Sequence, residues 1–213
     1  MFVELVDALR CVRPHEEMAL VLSADHTTGR DVREGVLGCP TCAARYPIHA
    51  GIADFRDSSE AAPPPASRPP AREEVVRLAA LLGLTEPGGV VVLVGMFAEM
   101  ASDLLDLVDG VQVVALNGSP SVASGGGISP VRAGPVLPLA RGRVRAFALD
   151  EMHVVQSTLD QAAAALVSGG RLLAPARAPV PDGVRELARD ARQWVAAREN
   201  SAGPVLQLSR VRR

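Results

Sequence analysis

Four residues carry the clearest chemistry in this chain: Cys11, His15, Cys39 and Cys42. They fall in two short pairs, Cys11-x3-His15 and Cys39-Pro40-Thr41-Cys42, with 23 residues between them. Zinc takes four soft or borderline donors in a tetrahedron, and two turn-borne pairs supply that arrangement. A closed set of four leaves no open position, so the zinc predicted here is structural. A metal-free ribbon and a redox-active CxxC are the competing readings. Size favours metal, because a small module with few large apolar side chains gains folding free energy from binding an ion. His15 is the weakest member of the set. His26, in a DHTTGR stretch that reads as a turn between strands, is the substitute, and His49 reads as a surface residue.

A second group lies further along. Gly95 follows the apolar run VVVLV, Asn117 ends the run VQVVAL, and Asp150 ends RVRAFAL. Polar or glycine residues at the carboxyl ends of buried strands are where open α/β sheets hold ligands, and ordinary turns also use them. His153, close to Asp150 and Glu151, is the one candidate catalytic imidazole, with a helix-start role as its alternative. No Ser–His–Asp or paired-carboxylate arrangement stands out, and no catalytic residue is assigned. Residues 118–130 read as a long Gly/Ser-rich loop, a lid or an anion-binding nest. The chain lacks both Lys and Walker spacing, which argues against nucleoside triphosphates.

The elements that must position these groups follow from periodicity. Before residue 57 come a short helix over about 3–9 and strands near 18–24 and 32–37. Residues 57–72, with five prolines, read as an extended spacer. The expected organisation is therefore a ribbon over 1–56, a linker over 57–72 and an α/β domain over 73–213. In that domain Val75, Val76, Ala79 and Leu82 mark one helical face. Strands are expected at 90–94, 111–116, 143–149 and 171–176, with helices at 98–108, 152–167 and 182–199 and a closing strand in PVLQLSRV. Alternating strands and helices predict a Rossmann-like, mainly parallel, doubly wound sheet.

Composition sets outer limits. A net charge of −2 argues against a broad nucleic-acid-binding face. Arg141, Arg143 and Arg145 form only a local patch and read as a solvated strand edge. No apolar run approaches a membrane span of roughly 20 residues. The start, MFVELVDALR, lacks signal-peptide features, and three cysteines do not make a disulfide framework, so a reducing cytoplasmic location is expected.

Two family resemblances attach to these residues. The layout LRC…H…GVLGCPTCAARYPIHAGIADF resembles the small zinc-ribbon family that activates methyltransferases acting on tRNA, ribosomal RNA and release factors. Cys39 to Ile52 carries the most specific part, whereas the family's first CPxC is replaced here by CVRPH. Residues 73–213 resemble class I S-adenosylmethionine-dependent methyltransferases in strand order and spacing. That resemblance implies cofactor contacts at Gly95, Asn117 and Asp150. Phe97 and Glu99 stand where the family has small residues, and Asn117 where it has an acid. LVSGGRLL (166–173) resembles the family's turn before its fifth strand and is expected to stop a helix. The resemblance thus implies a degenerate methyltransferase-like protein acting with a protein partner, or an active non-canonical enzyme as the alternative.

Overall fold

A computed structural model describes residues 1–56 and 70–199. Most of the Pro-rich segment and the expected PVLQLSRV strand lie outside the described residues. Eleven strands form one sheet: β1 (Val21–Thr28), β2 (Asp31–Gly38), β3 (Arg45–His49), β4 (Ile52–Asp54), β5 (Val90–Val94), β6 (Gln112–Leu116), β7 (Ile128–Arg132), β8 (Val144–Ala148), β9 (Leu166–Pro175), β10 (Val184–Arg189) and β11 (Gln193–Arg198). Their spatial order is β1-β2-β3-β4-β7-β6-β5-β8-β9-β11-β10. From β4 to β9 all neighbours are parallel, and both flanks are antiparallel. The direction of winding reverses at β5, placing a topological switch point between β5 and β8. This is the expected Rossmann-like sheet with a small ribbon at its edge.

Alternation along each central strand creates two cores. Val91 and Leu93 of β5 and Val113 and Ala115 of β6 face α1 (Arg72–Leu81) and α2 (Ala101–Leu105). On the other face Val92, Val94, Val114 and Leu116 pack with α3 (Gln156–Ala165) and with the N-terminal segment. Leu5, Leu9, Leu37, Ile48 and Phe55 all belong to that second core. The backbone reinforces the contact. β4 pairs with β7 at Ala53↔Val131, and Phe55 N–H donates to the Arg132 carbonyl at 2.8 Å. Leu9 bridges Leu139, in a coil between β7 and β8 where a crossover helix would ordinarily lie. The ribbon segment and the later domain therefore share one sheet and one core.

Several expected elements differ. The helix expected over 182–199 is the hairpin β10–β11. Charged residues in this stretch suggest a helix, but β11 pairs with the open edge of β9 and sends Trp194 and Ala196 into one core and Val195 into the other. Asp190 turns the hairpin by accepting the N–H groups of Arg192 and Gln193 at 2.7 and 2.8 Å. Val76 is 48% exposed, so the buried face of α1 is Val75, Leu78 and Leu82. His26 lies within β1, which runs on to Thr28 before turning at Gly29. Residues 118–130 are not wholly loop, because β7 begins at Ile128; Pro130 is accommodated there since pairing with β4 begins only at Val131. The first helix is a 3-10 turn, Val3–Ala8, and the helix expected over 98–108 is a 3-10 turn, Gly95–Met100, followed by α2. LVSGGRLL does end α3, but it belongs to β9, with Val167–Gly170 bulging out between paired Leu166 and Arg171.

A shared core predicts a shared transition. Ile48→Ala, at a fully buried ribbon position, should cost about 2–5 kcal/mol. Fluorescence of Trp194, on β11 toward the opposite edge of the sheet, should then shift together with far-UV circular dichroism. Two separate transitions, with only one moved, would show the ribbon to be an independent unit.

Candidate functional site

The two cysteine/histidine pairs converge. The ligand atoms of Cys11, His15, Cys39 and Cys42 all lie within 4.8 Å of one another. Cys11 Sγ is 3.6 Å from Cys42 Sγ, and Cys39 Sγ is 3.5 Å from His15 Nε2. A zinc tetrahedron has S···S edges of about 3.8 Å and S···N edges of about 3.5 Å, from its ordinary bond lengths. The two observed separations match those edges. Of the four histidines it is thus His15, not His26, that joins the cysteines; His49 is exposed and pairs with Glu34 at 2.9 Å.

Local folding explains the convergence. Pro40 and Thr41 turn the chain tightly enough for the Ala43 N–H to reach the Cys39 carbonyl at 3.0 Å, with Ala43 itself at φ 57°. Burial opposes ionisation of Cys39, yet the backbone N–H groups of Cys42 and Thr41 hold its thiol below the usual range. Burial likewise opposes ionisation of Cys11, and there Tyr46 and the Arg13 N–H prevail. His15 Nδ1 lies 2.6 Å from the Glu16 carbonyl. A carbonyl only accepts, so Nδ1 carries the proton and Nε2 keeps its lone pair for metal.

Tyr46 completes the support, a role that sequence reasoning missed. It is buried and stacked on Phe55 at 4.5 Å between centroids. Its oxygen accepts the Val12 N–H at 3.2 Å, which directs its own proton toward Cys11 Sγ at 3.0 Å. Burial and this contact push the phenol up to about 12, so it stays a donor. The only sequence signal was an aromatic residue four positions beyond Cys42.

The residues expected around a cofactor lie at the carboxyl ends of β5, β6 and β8, but they are engaged within the chain. Gly95 has φ +58°, and a Cβ placed there would sit 2.0 Å from Asp150 Oδ2. Asp150 is 5% exposed. Its carboxylate accepts the Met96 N–H at 2.8 Å, the His153 N–H at 3.2 Å and His153 Nδ1–H at 2.6 Å. Burial alone would raise its pKa; the hydrogen bonds from His153 and Met96 outweigh burial and hold it below the ordinary carboxylate range. Asn117 uses both ends of its amide on Ala133, donating at 3.0 Å and accepting at 2.8 Å. Glu99 accepts the Ser119 N–H and the Ser121 hydroxyl, tying the loop after β6 to the turn after β5. These loops touch so closely that a Cβ on Gly118 would lie 2.7 Å from that of Ala98.

No family model matches the chain, and no curated protein matches it in sequence. Solved methyltransferases overlap it in part. A geranyl diphosphate C-methyltransferase from Streptomyces coelicolor A3(2) is 18% identical over 48% of this chain and 42% of its own, with a TM-score of 0.41. An S-adenosyl-L-methionine methyltransferase from Silicibacter pomeroyi DSS-3 is 15% identical over 60% of this chain and 94% of its own, TM-score 0.45. The chain spans less than half the length of the geranyl diphosphate methyltransferases it matches. Such overlap concerns the fold and transfers no activity.

Two measurements test these sites. Protein purified without chelator should hold about one zinc per chain, and Tyr46→Phe should keep that stoichiometry while weakening affinity about 10- to 100-fold. Chelator competition reads the difference; an unchanged affinity would remove Tyr46 from the site's support. Asp150→Asn should lower stability at pH 7 by about 2 kcal/mol through its charge-assisted bonds. Because the native pKa of Asp150 is depressed, its contribution is complete above the unfolded value of about 3.9 and vanishes as pH falls through the native one. Urea melts of wild type and variant should therefore converge in strong acid; a gap independent of pH would contradict an ionised Asp150.

Proposed function

We propose that this chain is a methyltransferase-like protein, organised around a structural zinc ribbon, that has lost catalysis and serves as a cytoplasmic protein-interaction or scaffold unit. One observation carries the proposal: the positions that would contact S-adenosylmethionine are spent on internal bonds. The Asp150 carboxylate lies over Gly95, the Asn117 amide is clamped to Ala133, and the turns after β5 and β6 are in contact. A nucleoside seated across those turns would have to displace charge-assisted hydrogen bonds in a buried setting, where each is worth about 1.5–3 kcal/mol.

A role in binding proteins draws support from the surface at the same end of the sheet. Met96, Met152 and Val155 are 61%, 87% and 58% exposed around the ends of β5 and β8. Flexible, polarizable methionines suit apolar contact with a partner. A reducing compartment would keep the three cysteines, all free of disulfides, available to metal. Among the described residues no helix is long and apolar enough to cross a membrane.

The second reading, an active non-canonical methyltransferase, draws on the Asp150–His153 pair. Asp150 orients the imidazole through Nδ1, as a general base requires. Calorimetric titration with S-adenosylmethionine and S-adenosylhomocysteine separates the two. No heat is expected at millimolar ligand. A dissociation constant below about 100 μM, or roughly −5.5 kcal/mol, would overturn the scaffold reading.

A further inference from the structure

One cavity remains open at this end of the sheet, between the turn after β5, the end of β8, the end of β9 and the β10–β11 hairpin. Its volume is about 450 Å³, inside the range typical of small-molecule sites. Phe97, Leu149 and Pro175 give it an apolar floor, and Arg177, Arg192 and Glu151 stand among its lining. A smaller space of about 180 Å³ shares Met96, Phe97, Arg192 and Gln193 with it.

The outer wall is held in place without a ligand. Asp190 accepts two backbone N–H groups at the hairpin turn and pairs with Arg77 of α1. The Arg192 carbonyl accepts the Ala176 N–H at 2.8 Å, joining the hairpin to the end of β9.

Charge then selects the ligand. Around the cavity Asp150 is satisfied by Met96 and His153, Glu151 pairs with Arg177 at 3.3 Å, and Arg77 is taken by Asp190. In the adjoining space Glu74 accepts the Ala71 N–H at its helix start. The guanidinium of Arg192 is left with no hydrogen bond or ion pair among the described residues. A planar cation beside an apolar cavity matches a carboxylate carried on a short hydrocarbon body.

We propose that this cavity binds small amphipathic carboxylates, with the head group on Arg192 and an alkyl or aryl body against Phe97, Leu149 and Pro175. No cofactor enters this proposal, and it stands whether or not S-adenosylmethionine binds.

The test uses octanoate and octylammonium as probes in calorimetric titrations of the full chain without cofactor. Octanoate should bind about tenfold or more tightly than octylammonium, the effect of one charge-assisted contact. Arg192→Gln should erase that preference, and Ala176→Trp, which fills the cavity mouth, should abolish binding of both. Should Ala176→Trp fail to fold, the Arg192→Gln comparison still decides, because that side chain has no partner among the described residues to lose. Equal affinity for the two probes, no heat with millimolar octanoate, or octanoate binding unchanged in Arg192→Gln would each overturn the proposal. Heat with S-adenosylhomocysteine but none with octanoate would overturn it together with the scaffold reading; heat with octanoate alone would support both.

Discussion

The structure depends on covering the second face of the parallel sheet. A strand buried on both sides needs a layer on each, and β5, β6 and β8 read as such strands. On one face α1 and α2 supply that layer. On the other, α3 packs against the sheet, and the remaining ground over β6 and β7 falls to residues 1–55, with Leu5, Leu9, Leu37, Ile48 and Phe55 in the same core as Val114, Leu116 and Val131. Each such side chain contributes about 1.5–3 kcal/mol when fully buried. A few of them exceed the usual margin of a domain's stability, about 5–15 kcal/mol. The ribbon therefore functions as a missing layer of the sheet, and its Cys/His cluster becomes part of the stability of the whole.

That dependence gives the metal site a mechanical path into the fold. Cys11 is held by Tyr46, Tyr46 stacks on Phe55, and Phe55 donates its N–H to β7. Only two side chains separate a ligand sulfur from the parallel sheet. A metal held there would fix turns that have little apolar surface of their own, and those turns lead into β3 and β4, the latter paired with the β7 edge. An edge strand left bare would otherwise invite pairing with another chain.

The sequence made the zinc constellation legible because four ligand types at those spacings have few other uses. β5, β6 and β8 were equally plain as short β-branched runs. The hairpin at 184–198 was not, because its signal is tertiary: Trp194, Val195 and Ala196 point alternately into two cores that exist only once β9 offers its edge. β7 hid behind glycines and a proline for a related reason, since its pairing with β4 joins residues far apart in the chain. Tyr46 was missed because its role needs Val12 to fix the direction of its hydroxyl. Packing between segments, rather than any local pattern, decided each of these cases.

Gly95 shows how one residue type can be required for more than one reason. In a cofactor-binding turn a glycine is required because a ligand approaches the backbone closely. Here the same requirement holds, since a Cβ would strike Asp150 Oδ2 at 2.0 Å, and the positive φ of 58° disfavours any other residue. The approaching group here is a carboxylate of the chain itself, anchored by the Met96 N–H. Substituting Gly95 would be costly whether the turn bound a cofactor or an internal acid. Glycine at this position therefore reports close approach and nothing about what approaches. The discriminating signal lies in Asn117 and Glu99, whose polar atoms face inward to Ala133 and to Ser119 and Ser121. Among the described residues, the Arg192 guanidinium lining the cavity toward β9 has no hydrogen bond or ion pair. The proposed small-ligand site therefore rests on Arg192, across a cavity from the same turn after β5 that carries the family resemblance.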